Sequence, residues 1–155
     1  MIRRAQPKDT ARLVEMGRAF FSEAGWDKHA EYDTESFSFA CASLMSEAIL
    51  LVAENGAGDV VGMVGAGLAP AYWNRKVLTA QELFWYIEPR SRKGNEFGRG
   101  LMEALETAAK SLGVMLFSMS AEEGLRSDVL GRLYRQHGYW PAEKLFWKRL
   151  GAVAA

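Results

Sequence analysis

Apolar side chains recur at helical spacing in the first third of the chain. In "QPKDTARLVEMGRAFFSEAG" the apolar stripe begins after Pro7 and Asp9, which favour a helix start, and ends at Gly25, which favours a stop. The stretch "DTESFSFACASLMSEA" shows the same spacing, with Asp33 or Thr34 as the cap. We therefore predict two consecutive helices after a short first strand, "IRRA".

The middle of the chain changes to continuous apolar runs, which are typical of strands. The runs "AILLVAE" and "VVGMVGAGLA" flank the turn sequence "NGAGD", so we predict a β-hairpin. A loop, "PAYWNRK", and a long strand, "VLTAQELFWYIE", are predicted next, and Pro89 ends that strand.

The last part alternates between helical and extended patterns. A helix is predicted to about Leu112, with Gly113 as its cap, followed by a buried strand, "VMLFSMS", a helix, "SDVLGRLYRQHG", and a last strand, "EKLFWKRL". The predicted order is β-α-α-β-β-β-α-β-α-β, with antiparallel strands first and then a βαβ unit. This order indicates an α/β protein with a mixed sheet and helices on its faces, and residues 1–155 are predicted to form a single domain.

Composition and charge exclude several classes of protein. Lys plus Arg and Asp plus Glu number 19 each, so the global positive field typical of nucleic-acid binders is missing. Cys41 is the only cysteine, and we interpret it as a buried thiol, with a catalytic nucleophile as the alternative. No metal site is predicted. The sequence has no apolar run of membrane-spanning length and no signal-peptide core, so a cytoplasmic location is expected.

Glycines and cations concentrate in one stretch, "IEPRSRKGNEFGRGLMEALETAAKSLG", where a strand gives way to a helix. The first turn of a helix carries unpartnered N–H groups and partial positive charge, which bind anions. Glycines let the backbone approach a phosphate, and the nearby cations attract it. These residues are Gly94, Gly98, Gly100, Arg90, Arg92, Lys93 and Arg99. The stretch lacks GxxxxGK[ST] and GxGxxG, so neither a nucleoside triphosphate nor NAD is predicted. A flexible, solvated surface turn is the alternative.

Over nearly its whole length the chain resembles the GNAT superfamily of acetyl-CoA-dependent N-acetyltransferases. The resemblance lies in the order of elements and in "IRRAQPKDTARLVEM", "ELFWYIEPRSR", "GLMEALETAAKSLG" and "LYRQHGYWPAEKLFWKRL". The run "QELFWYIEP" looks closest to members from phage and prophage genomes. The resemblance implies a mixed, mostly antiparallel, twisted sheet with two parallel strands splayed apart at the cofactor site. It also implies acetyl-CoA as the cofactor.

The resemblance assigns a cofactor site to the strand-to-helix junction. Aligned from the helix side, the family motif Arg/Gln-x-x-Gly-x-Gly/Ala falls on "KGNEFG", where Glu96 replaces the middle glycine; aligned from Pro89 and Arg92, it requires one extra residue in the loop. Glu96 either faces the ligand and weakens phosphate binding or complements the helix dipole from the first turn. The implied cofactor residues are the backbone of Trp85, Tyr86 and Ile87, together with Arg92, Lys93, Gly94, Asn95, Glu96, Phe97, Gly98 and Arg99.

Two catalytic residues are implied by the same resemblance. Glu82 begins the part of the strand where several GNAT enzymes carry a glutamate base, and Tyr134 in "LYRQHGY" matches the tyrosine that protonates the leaving thiolate. The apolar neighbours of Glu82 would raise its pKa towards the value a base needs. A solvated strand-end carboxylate and a core tyrosine are the alternatives.

Aromatic residues near the first two helices and the "PAYWNRK" loop are candidates for the acceptor pocket, since they could hold an amine by cation–π contact. They are Phe21, Trp26, Tyr32, Tyr72 and Trp73, and packing in the core or at a dimer surface is the alternative for each. The predicted activity is acetyl transfer to a primary amine of a small molecule or protein. A CoA-binding module without activity and a phage-type nucleic-acid modifier remain open, as does a homodimer.

Overall fold

The computed structural model describes residues 1–123, 125 and 127–151. A five-stranded sheet has the order β1-β2-β3-β4-β5 and is antiparallel except between β4 and β5. The strands are β1 Ile2–Arg4, β2 Ile49–Glu54, β3 Val60–Ala71, β4 Asn74–Ile87 and β5 Leu116–Ser118. The helices are α1 Thr10–Glu23, α2 Thr34–Glu47, α3 Glu96–Ser111 and α4 Ser127–Gln136. The predicted mixed sheet is therefore confirmed.

The predicted helix boundaries match local capping chemistry. The Asp33 carboxylate accepts a hydrogen bond from the Ser36 N–H at 2.7 Å, which caps α2. Gly25 after α1 and Gly113 after α3 both have φ of 79°, a left-handed conformation that favours glycine.

The two faces of the sheet bury separate apolar clusters. One cluster joins α1 and α2 to the sheet through Leu13, Cys41, Leu44, Phe84 and Tyr86, among others. The second cluster packs α3 against the other face and includes Leu101 and Leu105, which are fully buried. Residues alternate along β4 between these clusters, so the strand is anchored on both sides at the point where the candidate site forms.

Three predicted elements differ from the structure. The predicted loop "PAYWNRK" is mostly strand, because β3 runs to Ala71 and β4 begins at Asn74, leaving only Tyr72 and Trp73 in the turn. The predicted buried strand "VMLFSMS" contains just three strand residues, and Leu116 is 40% exposed because β5 lies at the edge of the sheet.

The predicted last strand, "EKLFWKRL", is the third difference, since residues 141–150 form no strand. This segment lies instead against the connection between α1 and α2. The Trp147 ring contacts that of Trp26 at 5.6 Å, and Arg149 donates to the carbonyls of Lys28 and His29. The predicted last strand is therefore wrong: the segment contacts the α1–α2 connection and adds no strand to the sheet.

Candidate active site

The two parallel strands separate at the centre of the sheet. Pairing between β4 and β5 ends at Gln81 and Ser118, whereas β4 continues to Ile87. On the other side of β4, Ala66 pairs with Glu82 and Gly65 pairs with Phe84. Leu83 is therefore an extra residue in β4, and such a bulge bends a strand and re-aims its neighbours. The opening between the strands begins at Glu82.

A cavity of about 710 Å³ follows this opening. It lies between the carboxyl half of β4, the start of α3 and one face of α4, which contributes Leu130, Leu133 and Gln136. Seven of the predicted cofactor residues line it: Trp85, Tyr86, Ile87, Arg92, Asn95, Gly98 and Arg99. The volume is in the range of small-molecule and cofactor sites.

The amino end of α3 forms one end of the cavity. Gly94 and Asn95 precede the helix with φ of 82° and 56°, and asparagine tolerates this left-handed conformation better than most residues. Glu96 is in the first turn of α3 and is exposed outside the cavity lining, a position that complements the helix dipole. Lys93 and Gly94 also lie outside the lining, and Phe97 packs against the core beneath α3.

Gly98 is buried in the first turn of α3, where no side chain fits. A Cβ atom there would lie 2.6 Å from the Asn95 Oδ1 and 3.5 Å from the Trp85 ring. The absent side chain therefore lets Asn95 fold over the helix start and lets Trp85 lie beneath it. This is a close approach of backbone to the cavity, as anion binding at a helix terminus requires.

Arg92 is already engaged by protein groups. Its guanidinium donates to both carboxylate oxygens of Glu23 at 2.6 and 2.7 Å, and its Nε donates to the Ile87 carbonyl at 2.7 Å. The guanidinium also lies 5.3 Å from the centre of the Tyr86 ring. Glu23 and Arg92 both line the cavity, so an anion entering it meets a cation that is partly neutralised by Glu23.

Glu82 and Tyr134, the two predicted catalytic residues, are joined through Ser120. The Glu82 Oε2 accepts hydrogen bonds from the N–H of Ser120, at 3.0 Å, and from its hydroxyl. The Tyr134 hydroxyl donates to the Ser120 carbonyl at 2.6 Å. The Tyr134 ring also lies 6.4 Å from that of Trp85, which lines the cavity. The structure thus brings the two predicted residues together beside the opening.

Burial changes the acid–base behaviour of both groups. Glu82 is 5% exposed, and this burial raises the pKa of its carboxyl above the usual range. The two Ser120 donors oppose that shift, whereas the negative charge of Glu122 adds to it. Burial also raises the pKa of the Tyr134 hydroxyl, and the charge of Glu82 raises it further. A carboxyl with a raised pKa is suited to accept a proton near neutral pH.

The raised pKa of Glu82 predicts a pH-dependent cost to stability. The folded chain binds this proton more tightly than the unfolded chain, so the wild type loses relative stability as pH rises from the ordinary carboxyl pKa to the raised one. Thermal unfolding followed by circular dichroism should show the Tm of Glu82→Gln rising relative to that of the wild type, by a few degrees, as pH increases above the ordinary carboxyl pKa of about 4.3. Glu103→Gln, on the exposed face of α3, is the control. A Tm difference for Glu82→Gln that does not change with pH would contradict the prediction.

The predicted acceptor residues form separate contacts outside the cavity lining. Phe21 packs against Tyr32 at 5.6 Å, and Trp26 packs against Trp147. Tyr72 and Trp73 contact each other at the turn between β3 and β4 and are 94% and 62% exposed. The Tyr32 ring contacts that of Phe37, which in turn contacts Phe84 in the core. These contacts agree with the alternative in which Tyr32 packs in the core.

Three site features were missed by reasoning from the sequence. Ser120 is the last residue of "VMLFSMS", and its polar character at the end of an apolar run is the one signal that could have drawn attention to it. The Leu83 bulge and the pairing of Glu23 with Arg92 leave no local signal, because each depends on residues distant along the chain.

The described residues offer little support for a cysteine nucleophile, a metal site or a membrane-spanning helix. Cys41 is fully buried, and burial raises the pKa of its thiol to about 11, as expected for an inert thiol. Within residues 1–123, 125 and 127–151, no cluster of three or more His, Cys, Asp or Glu side chains could hold a metal ion. None of the helices described there has both the length and the apolar character that crossing a membrane requires.

Comparison with known proteins places the chain in a known family. The model of the Acetyltransferase (GNAT) family matches residues 12–139. The fold is similar to that of a predicted acetyltransferase with acetyl-CoA from Clostridium acetobutylicum, at 18% identity and a TM-score of 0.74, covering 97% of this chain and 96% of that one.

Two further solved structures show the same similarity. A transcriptional regulator from Bacillus halodurans is 23% identical, with a TM-score of 0.75 and coverage of 97% and 99%. Glucosamine-6-phosphate N-acetyltransferase from Arabidopsis thaliana is 15% identical, with a TM-score of 0.71 and coverage of 97% and 98%. At these identities the similarity shows the fold. A search of curated proteins gave no match.

Proposed function

The chain belongs to the acetyltransferase (GNAT) family, and from this we propose that it transfers an acetyl group directly to a primary amine, with Glu82 as base and Tyr134 as acid. Its acetyl donor is acetyl-CoA. The observation that carries the proposal is the opening between β4 and β5, which has a helix terminus at one end and the linked Glu82 and Tyr134 beside it.

The cavity residues fit the cofactor in shape and charge. The cradle at Gly98, which a Cβ atom would fill, lets a diphosphate approach the N–H groups at the start of α3. Arg99 and Arg92 supply positive charge at the same end. The backbone of Trp85 to Ile87, which has no partner strand on the β5 side, is available to pair with an extended arm. When bound, acetyl-CoA supplies the thioester carbonyl that the amine attacks.

Glu82 supports the base role because the reaction needs a neutral amine. A lysine-like amine has a pKa near ~10.4, so about one molecule in a few thousand is neutral at pH 7. Burial raises the pKa of the Glu82 carboxyl, which brings it closer to the pKa of the amine whose proton it would accept. Positioning of the two reactants provides a further part of the rate.

Tyr134 supports the acid role because its hydroxyl, whose pKa is raised by burial and by the charge of Glu82, carries a proton beside the opening between β4 and β5. Its proton is donated to the Ser120 carbonyl, from which it can turn to a departing sulfur. Tyr134→Phe is expected to lower kcat about a hundredfold, the lower end for a general acid, with acetyl-CoA affinity little changed. Stopped-flow thiol release and calorimetry measure the two quantities. Tyr139→Phe, which removes a hydroxyl bound to Glu106 instead, is the matched control. An unchanged kcat in Tyr134→Phe would assign this residue to packing.

The experiment that tests the function is thiol release from acetyl-CoA over a panel of primary amines. The panel would contain an aminosugar, a polyamine, a lysine peptide, a peptide with a free amino terminus and benzylamine. Release with at least one amine, lost in Glu82→Gln, would support the proposal. Calorimetric binding of acetyl-CoA without release to any amine would favour a CoA-binding module instead.

A further inference from the structure

Ser120 lies between the two groups to which the proposed function assigns proton transfer. Its N–H and hydroxyl both donate to the Glu82 Oε2, and its carbonyl accepts from the Tyr134 hydroxyl. We propose that the Ser120 hydroxyl carries the proton from the acceptor amine to Glu82. This inference rests on the acetyl transfer proposed above and adds to it the route by which a buried base reaches its substrate.

Burial shows why such a carrier is needed. Glu82 is 5% exposed, whereas Ser120 is an exposed residue. The carboxylate that must receive the proton is therefore inside the protein, and the hydroxyl bonded to it belongs to an exposed residue beside the opening, outside the cavity lining. A proton can pass to Glu82 through that hydroxyl without the amine entering the core.

The backbone around Ser120 is fixed in the orientation that this route requires. The last pair between β4 and β5 joins Gln81 to Ser118. Glu82 comes directly after Gln81 and Ser120 comes two residues after Ser118, so both lie where the strands separate. Its N–H is held by Glu82 and its carbonyl by Tyr134. The backbone of Ser120 is thus bound on both sides, and these contacts hold its hydroxyl against the Glu82 carboxylate that receives the proton.

The proposed step balances without any further reactant. Before the amine attacks the thioester, one N–H bond of its ammonium form breaks, which leaves the neutral amine, and a new O–H bond forms at the Ser120 oxygen. At the same time the original Ser120 O–H bond breaks, and its proton bonds to the Glu82 Oε2. The amine loses one proton, Glu82 changes from carboxylate to carboxylic acid, and Ser120 is unchanged.

The electrostatic surroundings favour proton arrival at Glu82. Glu122 is the neighbouring charged group, and its negative charge raises the pKa of Glu82, as burial does. Tyr134 faces the same region and stays neutral because its own pKa is raised. Only the Ser120 hydrogen bonds act in the opposite direction on Glu82. Removing the hydroxyl should therefore raise the pKa of Glu82.

A first test measures the effect of the Ser120 hydroxyl on Glu82 without any substrate. Carbon-13 NMR of glutamate-labelled protein would give the titration of Glu82 in the wild type, in Ser120→Ala and in Ser118→Ala. The Ser118 hydroxyl lies 3.5 Å from the carbonyl of Ala80, which is on β4 as Glu82 is, and this makes Ser118 a matched control. We expect the pKa of Glu82 to rise in Ser120→Ala alone. The same pKa in all three proteins would overturn the proposal.

A second test compares two amines of similar shape at pH 7. Benzylamine is mostly protonated at this pH, whereas O-benzylhydroxylamine is neutral. Ser120→Ala is expected to lower kcat/KM at least tenfold for benzylamine and less than threefold for O-benzylhydroxylamine, with Ser118→Ala unchanged. Ser120→Thr, which retains a hydroxyl, should keep most of the activity with both amines.

The outcomes separate this inference from the function on which it rests. If the wild type is active and Ser120→Ala loses activity equally with both amines, or behaves like Ser118→Ala, the carrier role is overturned and acetyl transfer stands. If the wild type releases no CoA with either amine, transfer to these amines is overturned and the carrier role with it. Loss of activity in Ser120→Thr equal to that in Ser120→Ala would also count against a hydroxyl carrier.

Discussion

Gly98→Asp is expected to lower the affinity for acetyl-CoA at least tenfold, which corresponds to about 1.4 kcal/mol of binding free energy. Two effects act together. Any Cβ at this position meets the Asn95 Oδ1 at 2.6 Å and approaches Trp85, so the Asn95 side chain must leave its position over the helix start. The added carboxylate also places negative charge where the helix terminus would attract a diphosphate. Isothermal titration calorimetry with acetyl-CoA would measure the loss.

Two further variants separate these effects from a general loss of structure. Gly98→Ala adds the Cβ atom alone and should give a smaller loss, so the difference from Gly98→Asp reports the charge. Gly56→Asp adds the same carboxylate at a turn where a Cβ meets nothing within 4 Å, and it should bind acetyl-CoA as the wild type does. Wild-type affinity in a folded Gly98→Asp protein would move the diphosphate site away from the start of α3.

The elements that could be predicted from the sequence are those with strong local signals. Both helices of the first half have a period of apolar residues and a stop or cap in the sequence, and the structure confirms them. The prediction of a last strand was wrong for a physical reason. A strand needs a partner edge, and the pattern of "EKLFWKRL", an apolar centre between polar residues, does not say whether a sheet edge or the α1–α2 connection will contact it. The turn between β3 and β4 was misplaced because Pro70 suggests a loop, yet it lies within β3.

In the candidate site, too, some features could be predicted from local sequence and others depend on the fold. Glycines and cations near α3 were visible in the sequence, and Gly98 and Arg99 do line the cavity. The salt bridge of Arg92 could not be predicted, because its partner Glu23 is on α1 and lies far from it along the chain. The link through Ser120 also depends on strand geometry, since Glu82 and Tyr134 meet only where β5 ends. Residue type could therefore indicate the chemistry, but the connection between groups required the fold.

The other large effect is expected in Glu82→Gln, which should lower kcat/KM about a hundredfold at pH 7 and much less at pH 9. At pH 7 almost all of a lysine-like amine is protonated, so the reaction depends on a group that takes the proton. Between pH 7 and pH 9 the neutral fraction of the amine rises roughly a hundredfold, and the need for the base falls accordingly. Glutamine can still accept both Ser120 hydrogen bonds, so the variant removes the proton acceptor while keeping the contact.

The pH profile of kcat/KM distinguishes a base from a nearby charge. In the wild type, activity should rise with pH through the raised pKa of Glu82, because only the carboxylate accepts a proton. Glu122→Gln removes a neighbouring negative charge that raises that pKa, so its profile should keep the same shape and move to lower pH. Glu82→Gln should instead lose this step from its profile. An equal loss of activity at pH 7 and pH 9 would mean that Glu82 holds the Ser120 peptide in place and does not accept the proton.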